Sequence, residues 1–312
     1  MKLSLICPCY NEGKNIRAFF DTCVEVLDGK VGGYEFVFVN DGSQDDTWEK
    51  LSEIFDSTDK SVKLVNLSRN FGKEAAMYAG LCRAEGEYTV IIDTDLQQRP
   101  ETVLEMVGFL DNNPDFDVVC AYQQKRKESK FISGCKSLFY KLINRISKAE
   151  IVDGARDFQL MKRKVVDAVL SLGEYNRFSK GIFGWIGFRK KWLEYENVER
   201  VAGETKWSFW KLTLYAIQGI VAFSTTPLVL SSVFGILCCV LAFIMIVFVI
   251  VRKLVYGDPT AGWPSLVCIM LLLSGIQMLG IGIVGQYLAK TYLETKKRPI
   301  YLVGETNLEK GA

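Results

Sequence analysis

Val90-Ile91-Ile92-Asp93-Thr94-Asp95-Leu96-Gln97 is the stretch whose reading decides the fold. An apolar β-branched run leads directly into two carboxylates, with an amide two places later. The run is too short for a helix and reads as a buried parallel strand. Its acidic end falls where the strand leaves the sheet, and open α/β sheets bind ligands outside the carboxyl ends of their strands. In an extended segment Asp93, Asp95 and Gln97 share one side, because side chains alternate along a strand. Three oxygen donors on one side suit a hard divalent cation, Mg²⁺ or Mn²⁺, of the kind that holds a substrate's phosphates. A solvated loop with two aspartates is the plainer reading of D-x-D. The position after an apolar strand and the clusters that accompany it favour the metal.

The same pattern recurs through the first half of the chain. Strands are predicted over residues 3–7, 35–39, 62–67, 88–92 and 117–121. Helices follow to about Leu27, to about Phe55, over Ala75 to Ala84, and from Pro100 to Leu110. Proline suits a first helical position because its missing N–H has no partner there. Strands alternating with helices mean βαβ units and a mostly parallel sheet. The strand tips carry Tyr10-Asn11-Glu12, Asp41-Gly42-Ser43 and Asp93-Thr94-Asp95. In a parallel sheet these gather at one edge and form a nucleotide-sized crevice. Neither G-x-G-x-x-G nor G-x-x-x-x-G-K-[ST] occurs, so a metal has to replace the glycine-rich phosphate cradle.

Composition narrows the chemistry. The 312 residues contain no histidine, which excludes Ser-His-Asp and Cys-His nucleophilic sites and any His-ligated metal. Carboxylates, amides, Lys and Arg must do the work. The nine cysteines form no C-x-x-C pair and read as reduced, buried thiols. A net charge of +2 gives no sign of a nucleic-acid partner, and none is expected. Only Leu3 to Cys9 is apolar at the N-terminus, so no signal peptide is expected and the catalytic part should stay cytoplasmic.

The second half differs. Within 125–148, eight Lys and Arg residues stand against Glu128, while Phe131, Cys135, Leu138, Phe139, Leu142 and Ile146 recur at helical spacing. This amphipathic segment suits an anionic membrane surface. It equally suits an ordinary surface helix packed on the sheet. Arg177-Phe178 and the glycines around Trp185 read as a loop where backbone approaches something closely. Trp207, Trp210 and Tyr215 suit the headgroup level of a bilayer. Residues 228–251 give 24 uncharged positions. As helix they would extend about 36 Å, enough to cross a hydrocarbon core of roughly 30 Å. Residues 264–289 make a second span, with Gly275, Gly280, Gly282 and Gly285 permitting close helix contact and Gln277 expected to face another helix. Lys290, Lys296, Lys297 and Arg298 outnumber the basic residues of the intervening loop, which predicts both termini in the cytoplasm. The expected organisation is a catalytic domain over 1–206, a juxtamembrane segment over 207–227, the two spans, and a cytoplasmic tail over 290–312.

Taken together, Pro8-Cys9-Tyr10-Asn11-Glu12, Val39-Asn40-Asp41-Gly42-Ser43, Asn70-Phe71-Gly72-Lys73-Glu74, Asp93-Thr94-Asp95-Leu96-Gln97 and Arg156-Asp157-Phe158 resemble the polyprenyl-phosphate glycosyltransferases of glycosyltransferase family two. Bactoprenol glucosyltransferases and dolichyl-phosphate mannose synthases belong to this group. The resemblance spans the whole chain and implies an A-type, Rossmann-like domain followed by interfacial helices and two transmembrane helices. It implies that Pro8, Tyr10, Asn11, Glu12, Asp41, Lys73 and Asp93 bind the nucleotide. Asp93, Asp95 and Gln97 would hold the metal and diphosphate. Arg126, Arg177, Arg200 and Lys206 would meet phosphates of donor or acceptor, and Asp157, with Asp95, would serve the reacting centre. Gln98-Arg99 before Pro100 departs from relatives that carry an acidic residue and a proline there. The Q-x-x-R-W signature of processive synthases is absent, which favours transfer of a single sugar.

The expected reaction is inverting transfer from a UDP-sugar to undecaprenyl phosphate at the cytoplasmic face of the inner membrane. Glucose is the first choice of sugar and N-acetylglucosamine the second. Membrane lipid and further copies of the chain are the expected partners. A transferase acting on a non-prenyl lipid and a catalytically silent membrane scaffold are the competing readings.

Overall fold

The computed structural model of the protein describes residues 1–123, 155–195, 226–256 and 262–308. The 125–148 segment, Arg126, Arg200, Lys206 and the aromatic residues Trp207, Trp210 and Tyr215 lie outside the described residues. The chain forms two compact units, Met1–Leu212 with Arg298–Ala312, and Thr213–Lys297.

The first unit opens with β1 (Leu3–Cys9), α1 (Ile16–Leu27), β2 (Tyr34–Asn40), α2 (Thr47–Ser57) and β3 (Ser61–Leu67). It continues with α3 (Lys73–Leu81), β4 (Tyr88–Ile91), α4 (Pro100–Asn112) and β5 (Val118–Gln123). Pro100 occupies the start of α4, as its missing N–H dictates. β1 pairs in parallel with β2 and β4, and β2 with β3, which gives the expected parallel centre. Alternation along these strands sorts their side chains. Leu5, Cys7, Phe36 and Phe38 join a buried cluster with Phe19, Phe20 and Cys23 of α1, Leu51 of α2 and Met106 of α4. The rings of Phe36 and Phe38 stack at 5.5 Å. Each such side chain taken fully out of water contributes about 1.5–3 kcal/mol. Ile6 and Val39 face α3 on the other side of the sheet. There Gly80 permits close packing, because a Cβ on it would lie 2.3 Å from Ile6 Cγ2.

Two features lie beyond the βαβ pattern. β6 (Ala155–Lys162) inserts antiparallel between β4 and β5. It is followed by α5 (Arg163–Ser171), α6 (Ser179–Trp185) and β7 (Lys190–Tyr195). The tail, expected only as a cytoplasmic end, supplies β8 (Val303–Thr306), which pairs antiparallel with β3 and forms the edge of the sheet. The order among the described residues is β7-β5-β6-β4-β1-β2-β3-β8, a mixed sheet with a parallel centre.

The second unit contains α7 (Thr226–Tyr256) and α8 (Trp263–Thr295). Their large apolar side chains point outward, Phe243, Met278 and Leu279 each being 68% exposed. Both helices are long and apolar enough to cross a membrane. Gln277 lines a groove with Ser231 of α7, Gly280, Ile281 and Val284, in keeping with its expected position toward another helix. Of the four glycines read as contact points, only at Gly280 would an added Cβ meet a neighbour within 4 Å among the described residues, the Ser231 hydroxyl.

Candidate active site

The tips of β1, β2 and β4 and the loop before α3 enclose a cavity of about 300 Å³. Pro8, Tyr10, Glu12, Asp41, Lys73, Asp93 and Asp95 line it, together with Cys9, Asn70, Gly72, Ala76 and Thr94. Seven of the residues expected at the site therefore meet in one place.

Asp41 organises the loop that carries Lys73. Its two carboxylate oxygens accept the N–H groups of Phe71 at 2.7 Å and Gly72 at 2.9 Å. Burial pushes the Asp41 carboxyl above its ordinary value, and these two N–H groups partly offset that push. Gly42 has φ +63, and a Cβ there would meet the Arg69–Asn70 backbone at 2.4–2.5 Å. Only glycine lets the two loops come that close.

Lys73 is the first residue of α3. Its ammonium lies 2.7 Å from Asp93 Oδ1 and 3.2 Å from Asp157 Oδ2. Partial burial disfavours its charge, but Asp93 and then Asp157 more than offset that, and its pKa is raised. The β4–β6 pairing explains the meeting. Ile91 is opposite Gln159, so the antiparallel register continued by two residues sets Asp157 across from Asp93. Glu12, another acid of the cavity, also titrates above its ordinary value. Burial is the main cause, the Asn15 amide opposes it, and Asp95, Asp93 and Asp45 add to it.

The turn after β4 departs from the extended geometry expected of it. The strand ends at Ile91, and Leu96 adopts φ +59. Gln97 is buried, its N–H donates to Asp95 Oδ1 at 3.1 Å, and it does not line the cavity. Asp93, Asp95 and Gln97 thus do not form one face, because a left-handed residue between Asp95 and Gln97 reverses the chain. Gln98, flagged only as a departure from relatives, takes up a supporting role. Its Nε2 donates to Asp93 Oδ2 at 3.1 Å and its Oε1 accepts the Asp93 N–H at 2.9 Å.

Two other expected residues serve the scaffold. Asn11, at φ +56, accepts the Gln44 N–H and donates its own N–H to Ser43, stapling the first two loops together. Arg177 stacks 4.3 Å over the Tyr78 ring and donates to the carbonyls of Leu172 and Val169 at the end of α5. Its guanidinium caps a helix and does not line the cavity. Glu74, which the sequence suggested only as part of a motif, accepts the Ser179 N–H and hydroxyl and so ties α3 to the start of α6.

The donor set fits a hard divalent cation. Among the described residues, no group of three or more His, Cys, Asp or Glu side chains is arranged to hold a metal. Mg²⁺ and its like commonly take one or two carboxylates and complete their shell with waters and substrate phosphates. The charged donors of the cavity are carboxylate oxygens, and its acids Glu12, Asp41, Asp93 and Asp95 face a single cationic lining residue, Lys73. Cys9 offers no competing nucleophile, since burial pushes its thiol well above the ordinary value.

Residues 4–170 match the family described as Glycosyl transferase family 2. The chain is 38% identical over 303 residues to the prophage bactoprenol glucosyl transferase homolog of Escherichia coli K12, covering 97% of this chain and 98% of that protein. It is 37% identical over 307 residues to the bactoprenol glucosyl transferase of Shigella phage SfII, covering 98% and 99%. Among solved structures, a mannosyltransferase from Pyrobaculum calidifontis, in complex with GDP-Man and Mn²⁺, shares the fold. Its TM-score is 0.51 at 18% identity, with 92% of this chain and 87% of that one covered. The chain belongs to glycosyltransferase family 2 and is a glycosyltransferase.

Proposed function

We propose that the protein transfers one sugar from a UDP-sugar, glucose first, to a polyprenyl phosphate at the cytoplasmic face of the membrane, with inversion at the sugar carbon. The observation that carries this reading is the meeting of Asp93 and Asp157 at the Lys73 ammonium, beside the end of the β4–β6 pairing. Relatives of nearly equal length named for bactoprenol support the acceptor.

The acceptor phosphate is already anionic near neutral pH, its second pKa being about 6 as in other phosphate monoesters. A strong general base is not needed, which fits a chain without histidine. Asp157 would orient the acceptor or stabilise positive charge developing on the sugar ring. Asp41 would hold the loop before α3 in register for the nucleotide. Asp95, with Asp93, would hold a divalent cation, and that cation when bound supplies charge opposing the departing diphosphate.

A polyprenyl chain cannot leave the bilayer, so the site must work at its surface. The two apolar helices support a membrane anchor. Residues Arg298–Ala312 rejoin the unit formed by Met1–Leu212. A chain that leaves for the membrane and returns to the same domain crosses it an even number of times, which supports a hairpin with both ends on one face.

Full-length protein in nanodiscs, given undecaprenyl phosphate and radiolabelled UDP-sugars, tests the reading. The expected product is a sugar phosphodiester labile to mild acid, formed only with Mg²⁺ or Mn²⁺ and not by Asp95→Asn. Turnover that ignores chelator, or an acid-stable glycolipid, would overturn it.

A further inference from the structure

Both oxygens of Asp93 are engaged, Oδ1 by Lys73 Nζ at 2.7 Å and Oδ2 by Gln98 Nε2 at 3.1 Å. The same ammonium reaches Asp157 Oδ2 at 3.2 Å. One lysine therefore offsets two carboxylates, one from the turn after β4 and one from β6, that would otherwise repel each other. The backbone at Lys73 is fixed, because Asp41 holds the two residues before it. The side chain is less constrained. It is 44% exposed, and its four-carbon stem can swing toward a new anion in the cavity that it lines.

We propose that Lys73 is the resident counter-ion of the acid group: it keeps Asp93 closed to a free divalent cation and releases it only when the donor's diphosphate offers the ammonium another partner. Metal and nucleotide then load together. The same movement frees Asp157, so the acceptor-side carboxylate becomes available only once the donor is seated. This rests on the metal-dependent reading above and adds to it the residue that links the two ligands. The acids alone would attract a cation at any time. An internal ammonium makes that attraction conditional, because a cation entering alone must break the Lys73–Asp93 pair and leaves the ammonium with Asp157 alone.

The test is Mn²⁺ binding to the full-length protein in detergent, followed by the electron paramagnetic resonance signal of free Mn²⁺, with and without UDP. In the unaltered protein Mn²⁺ alone is expected to bind weakly and UDP to tighten its binding. Lys73→Met is expected to bind Mn²⁺ alone about tenfold more tightly than the unaltered protein and to lose most of the gain from UDP, a change within the usual range for coupled sites. Lys73→Arg keeps the charge and is expected to behave as the unaltered protein does. Thermal unfolding checks that the variants are folded, and Lys73→Gln repeats the test should the methionine variant fail. If the neutral variants bind Mn²⁺ alone no more tightly, the role of Lys73 is overturned while the metal reading stands. If the unaltered protein binds no Mn²⁺ even with UDP, the metal reading falls and takes this inference with it.

Discussion

The Asn307 side chain accepts the backbone N–H of Leu64 at 2.7 Å, although 243 positions separate the two residues. Its amide nitrogen also donates to Val62 O at 2.9 Å, and Thr306 Oγ1 donates to Leu64 O at 2.7 Å. A strand at the edge of a sheet leaves such backbone groups unpaired. Here the end of the chain covers them, on the strand that leads into the loop before Lys73. Asn307→Ala leaves two backbone groups, on the buried residues Val62 and Leu64, without their partner. It should lower stability by about 1–3 kcal/mol. Thermal unfolding measures the loss, and hydrogen exchange at Leu64 should speed up.

Asp157 meets Lys73 from the antiparallel strand β6. Asp157→Asn keeps the shape of the side chain and removes its charge. Turnover should fall by about 100-fold or more, the scale of a positioned proton-transfer or charge-stabilising group. UDP affinity, measured by calorimetry, should change little. An equal loss in both would move Asp157 from the reacting centre to the nucleotide pocket.

Asp41 accepts two backbone N–H groups from the loop before α3. Hydrogen bonds to a charged group contribute about 1.5–3 kcal/mol each. Asp41→Ala should therefore weaken UDP binding by about tenfold or more through a loosened loop. Asp41→Asn retains one acceptor and should lose less. Calorimetry on both variants gives the comparison.

Glu74 titrates above the ordinary glutamate value because burial disfavours its charge; the Ser179 bond partly opposes this and Asp157 adds to it. With its folded pKa raised, the folded chain keeps a proton that the unfolded chain has already released. Stability from this group therefore falls as pH rises from the ordinary glutamate value through the raised one. Glu74→Gln, which still accepts a bond from Ser179, should remove that slope. Thermal midpoints measured across mildly acidic pH provide the check.

Lys63 lies 2.9 Å from Glu35, which is fully buried at the start of β2. Lys63→Met leaves that carboxylate without its counter-ion. The loss should be about 3 kcal/mol, near the lower end for breaking a buried pair, since Ser4 Oγ and the Glu85 N–H still bond to Glu35. Replacing Glu35 and Lys63 together by apolar residues should recover much of it. Thermal unfolding of the single and double variants tests both statements.

Much of this protein is written in its local sequence. Runs such as Phe36-Val37-Phe38-Val39 and Val90-Ile91-Ile92 are apolar on successive residues because both faces of a central strand are covered. That pattern, with helices between, determines the parallel centre and brings Pro8, Glu12, Asp41 and Asp93 to one edge. The length and apolarity of α7 and α8 are equally legible. The rest depended on which distant segments pair. Nothing in Ala155–Lys162 states that it lies antiparallel beside β4, since its apolar residues would suit many partners, yet that register alone sets Asp157 opposite Asp93. Nothing in Val303–Thr306 names β3 as its neighbour. The left-handed turn at Leu96 leaves Gln97 buried and off the cavity lining, and Arg177 stacks on Tyr78 and does not line the cavity either. Periodicity and burial are properties of neighbouring residues and can be read along the chain, whereas pairing and charge contacts are settled only by what the folded chain sets side by side.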